Sequence, residues 1–255
     1  MPMSLLKRVS VTVPAARAEQ ARAVMLELFP TGFEELESES SLELAAYTNA
    51  AGEERIWQAF GGAAATAVEE GWEERWRQFH RPVRVGRLWI GPPWEAPDAD
   101  SVAVVIDPGR AFGTGGHPTT QLCLQLLERE ERCSLLDVGC GSGVLAVAAV
   151  KLGFDPVVAV DFDPQAVEAT GRNALANDVV VEVLLADLRE DALPESVLAV
   201  TNIASEAVVA LGSRLRTRRA ITSGYLVSEE PELAGYRLEQ RVEAGGWAAD
   251  LHVRR

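Results

Sequence analysis

The sequence predicts an α/β chain: a doubly wound, mostly parallel sheet with an antiparallel last strand, preceded by a small α+β domain. Three observations carry this reading. From Ser101 onward, apolar strand-length runs alternate with helix-length runs. The last two runs, YRLEQRVEA and WAADLHVRR, are strands joined by Gly245-Gly246 with no helix between them. Before residue 69 the texture differs, with period-two alternation and short helical patterns.

In residues 1–68, Leu6 to Val13 alternates and stops at Pro14. Ala15, Ala18, Ala21, Val24, Met25 and Leu28 then recur at helical spacing, and Thr31-Gly32 makes a turn. FEELESES and SLELAAYT read as paired strands, GEERIWQAFGG as a helix closed by glycines, and ATAVEE as a last strand. The order β-α-β-β-α-β is the split-βαβ, ferredoxin-like plan. Residues 69–100 read as a linker, broken at its end by Gly91-Pro92-Pro93 and Pro97. Trp72, Trp76, Trp89 and Trp94 lie there, either packing the linker down or touching substrate. Residues 101–255 run SVAVVID (strand), HPTTQLCLQLLERE (helix), CSLLDVG (strand), GVLAVAAVKLG (helix), PVVAVD (strand) and PQAVEATGRNALAN (helix). VEVLLAD and VLAVTNI are strands, EAVVALGSRLR a helix, and AITSGY the strand before the closing pair.

Composition excludes several classes. The 255 residues are 47% hydrophobic, enough for a core, yet no apolar run is long enough to span a bilayer. The first residues lack a long apolar stretch with a cleavage site, so a cytoplasmic protein with no membrane partner is expected. Cys123, Cys133 and Cys140 have no C-x-x-C spacing, and His80, His117 and His252 are scattered, so neither a disulfide framework nor a metal site is expected. A formal net charge of −14 argues against direct nucleic-acid binding and suits a basic partner. The cationic run Arg214, Arg216, Arg218 and Arg219 reads as a solvated helix end rather than a binding patch.

The strongest motif is LLDVGCGSG, residues 135–143, where an apolar strand runs into three glycines and then an apolar helix. Glycines let a ligand touch the main chain, and the helix N-terminus offers N–H groups to an anion. A dinucleotide fingerprint would need glycine at position 144, where Val144 stands. Asp137, two residues before Gly139, can pair with the amino group of an amino-acid cofactor, which points past Gly139 and Gly141 to S-adenosyl-L-methionine. Asp161 ends the next strand about 20 residues on, the place of a ribose-binding carboxylate. Asp163-Pro164 reads as a helix N-cap and first turn. Asp187 ends the following strand, and either meets an adenine amino group or caps a turn. Asp107 to Thr120 is a Gly/Pro-rich loop able to fold over a cofactor; Thr120 opens a helix, and His117 is a positioning or packing residue rather than a base. Asn202, at the end of VLAVTNI, can accept a hydrogen bond from an attacking amine and is the catalytic candidate.

GWEERWRQFHRPVRVG, DPGRAFGTGGHPTTQLCLQLLE, LLDVGCGSGVLAVAAVKLG, VVAVDFDPQAVEA and TNIASE follow one another along the chain. Together they resemble the bacterial methyltransferases of ribosomal protein eleven of the large subunit, within the Rossmann-like S-adenosylmethionine-dependent methyltransferases. The loop AFGTGxHPTT is specific to that group. The resemblance implies methylation of lysine and N-terminal amines of that ribosomal protein, which the N-terminal ferredoxin-like domain recognises. It places cofactor positions at Thr120, Gly139, Asp161 and Asn202. The chain departs from the family pattern after Asn202, where Ile203 is followed by Ala204-Ser205. The alternative is a Rossmann-like N-methyltransferase acting on another protein or a small molecule.

Overall fold

The computed structural model describes residues 7–29, 33–38, 40–48, 50–67, 81–107 and 115–255. The chain divides into two compact units, Met1–Phe79 and His80–Arg255.

The first unit contains β1 (Lys7–Pro14), a single 3-10 turn (Ala15–Arg17), α1 (Ala18–Leu28), β2 (Glu34–Glu37), β3 (Ser41–Thr48), α2 (Ala50–Phe60) and β4 (Ala64–Ala67). Its strands form one antiparallel sheet in the order β2-β3-β1-β4. Alternation puts Val9 and Val13 of β1 and Leu42, Leu44 and Ala46 of β3 on one face, which Ala21 and Met25 of α1 and Ile56 of α2 cover. Ion pairs of Arg8 with Glu34 and Glu43, and of Lys7 with Glu53, tie its elements together at the surface.

The second unit opens with β5 (Val83–Val85) and β6 (Leu88–Gly91), an antiparallel hairpin, and β7 (Val102–Val105), parallel to β6. This differs from the sequence expectation in two ways. Residues 83–91 are strands rather than linker, and β7 belongs to this small sheet rather than to the main one. The physical reason is burial: all of Leu88–Gly91 is buried, and Trp89 folds over Gly91, where an added Cβ would sit 2.3 Å from the ring. The Gly-Pro-Pro run ends this strand instead of dissolving the segment. Trp72, Trp76 and His80 lie outside the described residues.

The main sheet follows: α3 (Pro118–Arg129), β8 (Leu135–Val138), α4 (Val144–Leu152), β9 (Val157–Asp161), α5 (Pro164–Ala176), β10 (Glu182–Leu185), β11 (Leu198–Asn202), α6 (Ser205–Gly212), β12 (Arg219–Leu226), β13 (Tyr236–Ala244) and β14 (Trp247–Arg254). The strand order is β10-β9-β8-β11-β12-β14-β13. The first five are parallel; β14 runs antiparallel between β12 and β13. This is a Rossmann-like sheet with an antiparallel close. Every residue of β8 and β9 is buried, because the sheet is covered on both faces. One core gathers Leu122, Leu126, Val147, Phe154 and Leu251, the other Leu136, Val138, Val208, Leu211 and Tyr225. The order turns back between β8 and β11, so a crevice opens at the C-terminal ends of those strands. No helix among the described residues is long and apolar enough to cross a membrane.

Candidate functional site

The glycine turn after β8 is built on left-handed backbone, with φ of 75° at Gly139, 55° at Gly141 and 81° at Gly143. A Cβ would lie 2.6 Å from Ile203 at Gly139 and 2.7 Å from Thr170 at Gly143, so side chains there are excluded sterically as well as conformationally. The Gly143 N–H donates to the Cys140 carbonyl at 2.8 Å, and α4 starts at once. Asp137 sits beneath this turn with no exposed surface. Its Oδ2 accepts the Ala146 N–H at 3.1 Å, whereas Oδ1 has no hydrogen-bond partner among the described residues. Burial pushes its carboxyl up to about 7, against the pull of the Ala146 N–H and with help from the charge of Asp161.

Asp161 is at the C-terminal end of β9. Its Oδ2 accepts the Gly141 N–H at 2.9 Å and its Oδ1 the Asp163 N–H at 3.0 Å. It therefore staples the glycine turn to the start of α5, and each oxygen keeps a further acceptor site. Asp163 caps α5 by accepting the Gln165 N–H at 2.9 Å, with Pro164 at the first turn, as its sequence context implies. Phe162, between the two carboxylates in sequence, is 66% exposed, an apolar ring left in solvent just past the C-terminal end of β9. Sequence reasoning missed it; its signal was an aromatic at a strand end inside the run DFDP. Asp187 lies just past β10, where it accepts the Arg189 N–H at 2.8 Å and the Arg189 guanidinium at 2.9 and 3.1 Å. That pairing holds its carboxyl below the usual range. Asp187 thus caps the turn through the Arg189 N–H, and an adenine amino group would meet it in exchange for the Arg189 guanidinium.

Asn202 and Thr120, distant in sequence, meet: the Asn202 Nδ2 donates to the Thr120 hydroxyl at 3.1 Å. Thr120 is fully buried in the first turn of α3, so it fixes the amide plane of Asn202. The Asn202 Oδ1 accepts no hydrogen bond from the described residues. His117 caps α3: its Nδ1 accepts from the Thr119 N–H at 3.4 Å, lies 2.7 Å from the Thr119 hydroxyl, and its ring meets Trp247 edge-on. Burial lowers its pKa, and its contacts are those of a packing residue. Residues 108–114 of the Gly/Pro-rich loop lie outside the described residues. Arg219, in the basic run, is tied up with Glu130 and Glu239.

Sequence reasoning also missed the support under the glycine turn. Thr170 and Asn173 lie on the buried face of α5, and Asn177, which caps the helix's C-terminus, is buried next to them but serves the small sheet instead. Thr170 donates to the Gly141 carbonyl, Asn173 donates to the Ser142 carbonyl and accepts the Asp107 N–H, and Asn177 pairs with both backbone groups of Val105. Their only trace in the sequence is polar residues at helical spacing on an otherwise small-residue face.

With this geometry in place, a family profile described as Ribosomal protein L11 methyltransferase (PrmA) matches residues 9–253. The chain belongs to the ribosomal protein L11 methyltransferase family. A relative of that name from Laribacter hongkongensis is 42% identical over 205 residues, covering 74% of this chain and 68% of its own length. One from Dechloromonas aromatica is 50% identical over 149 residues, which is 55% of this chain and 50% of the relative. A solved ribosomal protein L11 methylase from Lactobacillus delbrueckii subsp. bulgaricus superposes with a TM-score of 0.63 at 29% identity, covering 69% of this chain and all of that one.

Membership in this family makes the chain an S-adenosylmethionine-dependent methyltransferase. The residues of the crevice fit that cofactor. A buried acceptor left unpaired costs about 1–3 kcal/mol, and Asp137 Oδ1 is such an acceptor, in reach of the glycine turn. An ammonium group would satisfy it; a pyrophosphate would be repelled.

Proposed function

We propose that the chain methylates lysine and N-terminal amines of ribosomal protein L11, using the crevice at the C-terminal ends of β8, β9 and β11. The observation that carries the reading is the unpartnered Oδ1 of buried Asp137 beside the glycine turn, with Asp161 on one side and Asn202 on the other. Bound there, S-adenosylmethionine supplies a methyl group on a sulfonium, an electrophile that carries its own leaving group.

In this reading Asp137 holds the amino-acid ammonium, and the bare backbone at Gly139 and Gly141 lets the ligand lie close. Asp161 takes the ribose hydroxyls with its remaining lone pairs, and Phe162 offers an apolar face to the base. Asp187 takes the adenine edge by exchanging Arg189 for it. Thr120 fixes Asn202, whose Oδ1 accepts an N–H of the incoming amine and turns its lone pair toward the methyl group. The amine must arrive neutral; for a lysine side chain, with a reference pKa near 10.4, only about a thousandth is neutral at pH 7.4. Asn202 cannot take a proton, so its part is orientation, and no base is assigned.

The segment 1–68 of the first unit is proposed as a ferredoxin-like domain that recognises the ribosomal protein. Its sheet order β2-β3-β1-β4 supports that plan, and a net charge of −14 suits a basic partner in the cytoplasm. Residues 101–255 are proposed as the methyltransferase domain, and the strands Val83–Val85 and Leu88–Gly91 precede it within the second compact unit. Mass spectrometry of ribosomal protein L11 after incubation with the enzyme and S-adenosylmethionine tests the assignment. Added multiples of 14 Da on amine-bearing residues are expected; an unmodified protein beside labelled material in a cell extract would hand the assignment to another acceptor.

A further inference from the structure

The glycine turn does not hold itself. Thr170 is fully buried and donates from Oγ1 to the Gly141 carbonyl at 3.1 Å, with the Cys140 sulfur at 3.2 Å. One turn on, Asn173 is 2% exposed and donates from Nδ2 to the Ser142 carbonyl at 2.8 Å. Its Oδ1 accepts the Asp107 N–H at 3.0 Å, so the same amide links the turn to the end of the small sheet. In a trans peptide the carbonyl and the next N–H point in opposite directions. Anchoring the carbonyls of Gly141 and Ser142 toward α5 therefore fixes two successive peptide planes of the turn, the second of which directs the Gly143 N–H at the Cys140 carbonyl. Glycines at three positions make that backbone permissive; the bond from the Gly143 N–H to the Cys140 carbonyl and the Asp161 staple fix part of it, and Thr170 and Asn173 fix the Gly141 and Ser142 carbonyls.

We propose that Thr170 and Asn173 are positioning residues that set cofactor affinity by holding the Gly141 and Ser142 carbonyls. The proposal rests on the reading that this turn receives the cofactor. Asn177 provides the internal comparison. It caps the C-terminus of the same helix, is 4% exposed, and its side chain makes three hydrogen bonds, to both backbone groups of Val105 and to the Asn173 carbonyl. It makes none to the glycine turn. If the stripe served only to hold the unit together, losing Asn177 would harm binding at least as much as losing Asn173.

The test uses the full chain, calorimetric titration with S-adenosylhomocysteine, and thermal melting followed by circular dichroism. Asn173→Ala should raise Kd by about tenfold and Thr170→Val by about threefold, the range one buried hydrogen bond spans. Asn177→Ala should lower Tm by at least as much as Asn173→Ala yet leave Kd within about twofold. In turnover, KM for the cofactor should rise in Asn173→Ala while kcat at saturation is kept. Thr170→Val preserves volume and so covers the case in which Asn173→Ala fails to fold. Equal rises in Kd for Asn173→Ala and Asn177→Ala, or wild-type affinity in Thr170→Val and Asn173→Ala, would overturn the proposal. Absence of binding by the wild type would instead sink the reading of the site.

Discussion

Replacing Asn202 by alanine separates alignment from binding. The substitution removes the Nδ2 bond to Thr120 and the Oδ1 acceptor proposed to meet the incoming amine. The structural cost is small, because one hydrogen bond is lost and Asn202 is only partly buried: about 0.5–1.5 kcal/mol of stability. The catalytic cost should be larger. Loss of one preorganised polar contact at a reacting centre typically costs about 100- to 1000-fold in rate, roughly 2.7–4 kcal/mol. Steady-state methyl transfer to ribosomal protein L11 should show kcat reduced by that factor, while S-adenosylhomocysteine affinity falls by less than about tenfold. Asn202→Asp is the informative companion. A carboxylate can still accept the hydrogen bond but favours the protonated, unreactive amine, so its activity should recover most at high pH. Near-normal turnover in Asn202→Ala would refute the reasoning. A loss accounted for wholly by cofactor affinity would leave Asn202 as a cofactor ligand alone.

Three further outcomes are expected. Asp161→Ala should weaken S-adenosylmethionine and S-adenosylhomocysteine binding in parallel by about 1.5–3 kcal/mol, since the ribose is common to both; calorimetry with unchanged affinity for either removes Asp161 from the site. A chain beginning at His80, the start of the second compact unit, should bind S-adenosylhomocysteine but methylate ribosomal protein L11 poorly; full activity on that protein would refute the recognition role of the first unit. Arg241→Ala should be strongly destabilising, by about 3–5 kcal/mol in a denaturant titration, because it strips a bidentate partner at 2.7 and 2.8 Å from Asp250, which is 2% exposed.

The sheet was legible because its strands are covered on both faces and so read as short apolar runs punctuated by glycine and aspartate. LLDVG and VVAVD each read as a strand, and the glycine after the first and Asp161 at the end of the second marked the crevice. Asn202 was legible for the same reason, at the end of VLAVTN. Its contact with Thr120 was not: that pairing depends on α3 packing near the end of β11, a tertiary fact with no local trace. The connector was misread because Gly91-Pro92-Pro93 is a strong local break, while the burial of Leu88, Trp89 and Ile90 is decided by β7 lying alongside. Asp187 was balanced between two roles on sequence, and Arg189, two residues on, supplied the capping partner. Thr170 and Asn173 were invisible because a buried polar side chain on a helix announces itself only once its backbone partners are known.

The buried carboxyl of Asp137 couples both folding and binding to pH. Burial raises its pKa in the folded chain from an ordinary 3.8 to about 7. The folded state thus binds the proton more tightly than the unfolded state does. Stability from this group is fully present below about pH 4 and is lost as pH rises toward 7, the reverse of an ion-paired aspartate. A rise of that size corresponds to about 4 kcal/mol lost between those limits in the cofactor-free chain. Cofactor changes the balance. An ammonium against Oδ1 favours the ionised carboxylate, so binding must expel the proton wherever Asp137 still carries one. Between about pH 5.5 and 7 the amino group of the ligand stays cationic, leaving Asp137 as the site that releases protons. The affinity for S-adenosylhomocysteine should therefore climb with pH across that window, by up to about tenfold per pH unit at its acid end. Titration in buffers of different ionisation enthalpy should count a fraction of a proton released near pH 7 and more at pH 6. Asp137→Asn should abolish both the slope and the release and should bind more weakly above pH 7. A pH-independent affinity in the wild type, or proton release that persists in Asp137→Asn, would show that the orphaned oxygen is not where the ammonium rests.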